Sequence, residues 1–168
     1  FTRAEIIREK GTNRSQFFRG EVDKYGWVDI GSSFLTSDII AAYLFAQLEK
    51  VDLIHLKRVE IWNHYHERLR PLELQGKIRL ANIPDYATNN GHMFYLLCNT
   101  LEERSALIQY LKSKGVMAVF HYQSLHRSSF IKTHYQSKSK SIPQLPNTDL
   151  FTETLLRLPF YYELSIDQ

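Results

Sequence analysis

GSSFLTSDIIAAYLFAQLE, residues 31–49, decides the reading of this chain, because within it a loop gives way to the longest helix predicted here. Ser37 makes a good N-cap, and Asp38 sets a negative charge against the positive end of the helix dipole. From 37 to 70 no residue breaks a helix, and Pro71 is expected to end it. A helix over 37–70 would be about 50 Å long, enough to pass from one packing unit to another. Ile40, Leu44, Leu48 and Val51 form one apolar stripe, and Trp62, Tyr65 and Leu69 form another. His55 and Arg58 interrupt any continuous seam, so two packing environments are expected rather than a coiled coil.

Upstream, 2–10 reads as the last turns of a helix stopped by Gly11. The stretch 12–31 keeps neither helical nor strand periodicity and is expected to be a long loop, one whose Phe17, Phe18, Tyr25 and Trp27 argue against disorder. Downstream of Pro71 the pattern shortens. Residues 77–80 read as extended, Pro84 and Asp85 as a turn, and 92–98 as an apolar strand. A helix over 101–114 stops at Gly115, and 116–122 has the β-branched and aromatic content of another strand, giving a strand, helix, strand unit. SKSKSIPQLP (137–146) reads as a mobile surface loop, 149–156 as a short helix, and LRLPF (156–160) as extended.

Composition narrows the functional classes. The chain has 168 residues and is 43% hydrophobic, enough to build a packed core. Its single cysteine, Cys98, lies in an apolar run and excludes an intramolecular disulfide, which points to a buried thiol in a reducing, cytoplasmic setting. No stretch approaches the roughly 18 apolar residues that would span a membrane. The net charge of +3 carries no basic block of the kind that binds nucleic acid. The chain opens on Phe1 without an initiator Met, and Ser165 and Asp167 read as the cap and first turn of a further helix. A piece of a longer protein is therefore expected, although frayed tails of an intact domain would look the same.

The motifs of P-loop, dinucleotide-binding and common serine-hydrolase sites are absent. His64 and His66 sit about 200° apart on a helix and cannot share a metal, so they read as solvated, and no metal site is expected. What remains is a set of polar groups. Asn13, Arg14, Arg19 and Lys24 lie in the aromatic loop, and His121, Tyr122 and His126 lie beyond a predicted strand. Guanidinium and ammonium groups suit a phosphate, while hydroxyl and imidazole groups suit the oxygens of a sugar. A solvated basic loop and two structural histidines would give the same pattern.

AEIIREKGTNRSQFFRG (4–20), YGWVDIGSSFLTSDIIAAYLFAQLE (25–49), HMFYLLCNTLEERSALIQYLKSKGVMAVFHYQSLH (92–126) and LLRLPFYYELS (155–165), in that order, resemble the C-terminal half of the DegT/DnrJ/EryC1/StrS sugar aminotransferases. The resemblance implies an α/β architecture, the connecting helix and small C-terminal domain of a type I aminotransferase that uses pyridoxal phosphate. Residues 1–36 would end the large cofactor domain and carry an active-site loop, 37–70 would be the connecting helix, and 71–168 the small domain. GTNRSQFFRG and IGSS further resemble members that move an amino group from glutamate to C4 of dTDP-4-oxo-6-deoxyglucose, as homodimers.

By the same resemblance the lysine that anchors the cofactor lies upstream, and none of the ten lysines here matches it. Catalysis by these residues alone is not expected. Where many relatives carry Gly-x-Asn-x-Arg, this chain has Gly31-Ser32-Ser33-Phe34-Leu35. Ser33 can still donate one hydrogen bond to the cofactor phosphate, whereas Leu35 cannot replace an arginine. HYQSLH (121–126) stands where His-Tyr-x-Pro-Leu-His is common, which assigns His121, Tyr122 and His126 to the sugar nucleotide and puts Ser124 in place of a stiffening proline. The alternative is an autonomous binding or regulatory module without chemistry of its own.

Overall fold

The computed structural model describes residues 1–165 and divides into two compact units, 1–51 and 52–168. Asp167, expected in the first turn of a further helix, lies outside the described residues.

The first unit opens with α1 (Thr2–Arg8), which ends in a turn through Lys10 and Gly11, both at positive φ. Gly11 has no alternative residue. Its carbonyl receives Val28 and Asp29, and a Cβ on it would stand 1.9 Å from the Asp29 oxygen. Gly31 is as confined, since a Cβ there would stand 2.2 Å from the Gly11 nitrogen. The 12–31 stretch expected as a plain loop contains a short helix, α2 (Arg14–Phe18), and bridges Thr12 to Trp27. Backbone hydrogen bonds are what sequence periodicity misses there.

The helix expected over 37–70 is two helices, α3 (Asp38–Leu48) and α4 (Val51–Leu74). Ser37 caps α3, accepting from the Ile40 N–H. The α-helical ladder gives way at Glu49 and Lys50, where the Lys50 N–H reaches back only three residues to Gln47. Pro71 does not stop α4 but sits inside its last turns. Leu69 and Leu72 pack on the core on either side of it, and that burial outweighs the lost hydrogen bond. The stop is Gly76, at φ +71, where the Gly76 and Lys77 N–H groups close back on Glu73 and Leu72.

The second unit is built on a four-stranded antiparallel sheet: β1 (Arg79–Leu80), β2 (Tyr95–Leu97), β3 (Val119–Phe120) and β4 (Leu155–Arg157), in the order β1-β2-β4-β3. The expected strand, helix, strand unit is present as β2, α5 (Leu101–Ser113) and β3, with β4 inserted between its strands. Thr100 caps α5 by accepting from the Glu103 N–H, and the Glu103 carboxylate accepts from Asn99. Beyond β3 come a single 3-10 turn (Leu125–Arg127), α6 (Ser129–Ser137) and α7 (Pro146–Thr154). The helix expected over 149–156 ends earlier because Leu155 and Leu156 are taken into the sheet, where Leu156 faces Leu96 and Phe120 and is fully buried.

Phe94 and Leu156 are the centre of a core completed by Trp62, Ile78, Leu80, Leu96, Cys98 and Ala118. The second predicted stripe, Trp62, Tyr65 and Leu69, faces it, and Trp62 and Tyr65 pack their rings on Phe94. His66 is not a solvated surface group: it is half-buried and stacked on Trp62 at 5.0 Å between ring centres, while His64 lines a cavity beside α4. Arg58 ties α4 to the following loop, donating to the Gly91 and His92 carbonyls and covering the Phe160 ring at 4.5 Å. No helix among the described residues is long and apolar enough to cross a membrane.

Candidate functional site

The candidate residues fall in both units. In the first, Asn13 turns inward. Its side-chain oxygen accepts from the Gly26 N–H at 2.8 Å and its own N–H donates to the Gly26 carbonyl, so it closes the loop across 13 residues. Arg19 is already neutralised, held by Glu21 at 2.6 Å and Glu5 at 3.1 Å. Those hydrogen bonds, Glu21's first, keep its guanidinium well above the ordinary range, and Arg19 in turn holds the Glu21 carboxyl low. Arg14 lies exposed over the Phe18 ring at 5.1 Å. Lys24 is exposed, and so is Ser33, whose backbone bridges to Glu9. Of the loop's polar groups, Arg14 and Lys24 are the cations without a carboxylate in their described contacts.

In the second unit the segment leaving β3 divides its three candidates by burial. Tyr122 is 77% exposed, His121 is half-buried with its ring 4.6 Å from that of Tyr122, and His126 is only 8% exposed. The 3-10 turn brings His126 against the first turn of α7, where its Nε2 lies 3.1 Å from Asp149 Oδ1. Asp149 Oδ1 also receives Arg127 Nε at 2.8 Å and the Ser124 hydroxyl at 3.5 Å. Arg127 reaches Glu153 as well, at 3.1 Å, and its guanidinium is held up chiefly by the bond to Asp149. His126, Arg127 and Asp149 line an open cavity of about 400 Å³ together with Pro143, Leu145 and Pro146.

Sequence reasoning missed Asp149. It stands 25 residues after Ser124, on a different element, and nothing in local spacing links them. Its one visible signal is an acidic residue in the first turn of a helix opened by proline. Ser124, in place of a common proline, turns out to be buried and bonded to that carboxylate, at a φ of −66° that a proline ring would also adopt.

Taken separately, the first unit offers two cations suited to an anion, and the second offers imidazoles and an exposed phenol suited to hydroxyl groups. Among the described residues no group of three or more His, Cys, Asp or Glu side chains could hold a metal.

The model of the DegT/DnrJ/EryC1/StrS aminotransferase family matches residues 1–168. Among solved structures, the aminotransferase TlmJ from Streptoalloteichus hindustanus superposes with a TM-score of 0.76 at 21% identity, covering 97% of this chain and 40% of that one. The sugar aminotransferase Spr1654 from Streptococcus pneumoniae, in its PLP form, gives 0.72 at 20% identity, covering 97% and 39%. NtdA from Bacillus subtilis with bound cofactor PMP gives 0.77 at 19% identity, covering 96% and 35%. The chain thus spans about two fifths or less of the length of these relatives.

Proposed function

Since the chain belongs to the DegT/DnrJ/EryC1/StrS aminotransferase family, whose model spans all its residues, we propose that it forms the substrate-side, C-terminal part of a nucleotide-sugar aminotransferase. The fold is that of the pyridoxal-phosphate-dependent aminotransferases, and pyridoxal phosphate is the cofactor of the family. In this assignment 1–36 ends the cofactor domain, α3 and α4 together take the place of the connecting helix over 37–70, and 71–168 is the small domain.

The residues present do not by themselves fit the cofactor. When bound, pyridoxal phosphate supplies an electron sink, but its anchoring lysine must be desolvated and aimed at it. Nine of the ten lysines are exposed, and the half-buried Lys57 is paired with Glu60 at 2.9 Å. What the chain contributes is recognition: Ser33 as a hydrogen-bond donor toward the cofactor phosphate, and His121, Tyr122, His126, Asn13, Arg14 and Lys24 toward the sugar nucleotide. Asn13 acts by shaping the loop that carries Arg14 and Lys24, since its side-chain oxygen is committed to Gly26.

The substrate reading is amination at C4 of dTDP-4-oxo-6-deoxyglucose with glutamate as donor, by a cytoplasmic homodimer serving surface-polysaccharide synthesis of the enterobacterial common antigen type. It is supported by GTNRSQFFRG (11–20) and IGSS (30–33), which are similar to the dTDP-4-amino-4,6-dideoxygalactose transaminases. The observation that carries the broader function is the family match over the whole chain.

The test is steady-state kinetics of the holoenzyme with His121, Tyr122 and His126 all changed to Ala. Losing two or three ligand hydrogen bonds raises KM for the sugar nucleotide by about tenfold or more, at about 1 kcal/mol per bond, with KM for glutamate little changed. An unaltered KM for the sugar nucleotide in a folded variant would refute the assignment.

A further inference from the structure

Where the chain leaves β3, three donors from one loop converge on a single carboxylate oxygen. Asp149 Oδ1 receives Arg127 Nε at 2.8 Å, His126 Nε2 at 3.1 Å and Ser124 Oγ at 3.5 Å. We propose that Asp149 is the positioning residue of the 121–127 loop, fixing the tautomer and orientation of His126 and clamping its turn to α7. The functional consequence rests on the assignment of His126 to the sugar nucleotide; the structural one does not.

His126 is more than nine-tenths buried, so its ring cannot draw on solvent for hydrogen bonds. Its Nδ1 is buried with no hydrogen-bond partner among the described residues. Asp149 Oδ1, 3.1 Å from Nε2, is therefore the polar partner within reach of the imidazole among the described residues, and it bears on two properties together. A neutral ring must carry its proton on Nε2 to donate to a carboxylate, which leaves Nδ1 as a bare acceptor. Keeping Nε2 against Oδ1 also restricts the rotation of the ring.

Two neighbours make the clamp more than a single bond. Ser124 is itself buried at the start of the 3-10 turn, and its hydroxyl ties that start to the same oxygen that lies against its middle. Arg127 supplies the opposite charge that a half-buried carboxylate requires, and continues to Glu153 one turn further along α7. Removing Glu153 leaves all three groups on Asp149 in place, whereas removing Asp149 frees His126 and Ser124 and leaves Arg127 only its contact with Glu153. The loop presents His121 and Tyr122 from its β3 end, and its other end is held to α7 by this oxygen and by the Arg127–Glu153 pair. A loose anchor would cost ligand affinity before it cost chemistry.

The experiment uses the holoenzyme labelled with ¹⁵N-histidine, as wild type, Asp149→Ala, Asp149→Glu and Glu153→Gln. In the wild type at pH 8, His126 shows a protonated Nε2 and an unprotonated Nδ1. Asp149→Ala gives a mixture of tautomers, raises KM for the sugar nucleotide by about tenfold and changes kcat by less than about threefold. Asp149→Glu restores the wild-type tautomer with KM within about threefold of normal, and Glu153→Gln behaves as wild type. A wild-type spectrum with the proton on Nδ1 would overturn the inference, even if Asp149→Ala failed to fold. So would an unchanged tautomer in a folded Asp149→Ala protein, or an unchanged KM there when His126→Gln raises it. Should Asp149→Ala shift the tautomer while His126→Gln leaves KM unaltered, the clamp stands and the sugar-binding assignment falls.

Discussion

Cys98 illustrates what a single residue's surroundings do to its chemistry. Burial beside Phe94 and Leu156, reinforced by Glu103, pushes its thiol up from the ordinary range. A folded-state value above the unfolded one favours the native fold at low and neutral pH, and that contribution is lost as pH rises through the folded value. In alkylation at pH 8, Cys98 reacts at least about tenfold more slowly in the native protein than after unfolding, because both thiolate fraction and access are reduced; equal rates would contradict its burial. Ser124 makes a second case. Its φ of −66° already matches a proline ring, so Ser124→Pro keeps the fold with a stability change within about 1 kcal/mol in thermal melts, the stiffer backbone offsetting the lost bond to Asp149. The sequence places His121, Tyr122 and His126 in one short segment. It does not show that His126 is buried against α7 while Tyr122 stays exposed, because that depends on a contact 23 positions away. Asn13 and Arg19 were legible as polar residues, but the partners that occupy them, Gly26, Glu5 and Glu21, lie up to 14 positions away and left no local trace.

Elements were legible wherever one local signal dominated. Ser37 does cap α3, and Gly11 and Gly115 follow α1 and α5 at positive φ, whereas the Thr100 cap of α5 and the Gly76 stop of α4 emerge only in the structure. Thr100→Ala should cost about 1 kcal/mol, measured by chemical denaturation, through the lost cap on the Glu103 N–H. Pro71 misled because its penalty is a local quantity, whereas the burial of Leu69 and Leu72 that overrides it is tertiary. The same competition moved Leu155 and Leu156 from an expected helix into β4. Leu156→Ala is the sharpest probe of that strand. The fully buried side chain faces Leu96 and Phe120, and its truncation should lower stability by about 2–5 kcal/mol. A loss below 1 kcal/mol would mean β4 is not the centre of the sheet. The placement of β4 between β2 and β3 is a pairing across more than 30 positions, which no pattern in either strand encodes.

At the scale of the molecule, α3 departs from the habits of a free-standing helix. Ile39, Ile40, Tyr43, Leu44, Phe45 and Leu48 are all more than half exposed, so the predicted stripe is present but buries nothing within its unit. Exposed apolar surface of that extent promotes association. Residues 1–168 on their own are expected to sediment as concentration-dependent oligomers, and changing Ile40, Leu44 and Leu48 to Gln should shift them toward monomer. The family and its fold were readable because whole segments carry them, while the chemistry divides differently. In the proposed assignment the chain supplies recognition groups and the lysine that anchors the cofactor lies elsewhere in the enzyme. Borohydride reduction of the PLP-loaded holoenzyme, followed by peptide mapping, tests that division most directly. Stoichiometric pyridoxyl label should fall on a lysine outside residues 1–168; label on one of the ten lysines within them would contradict the account.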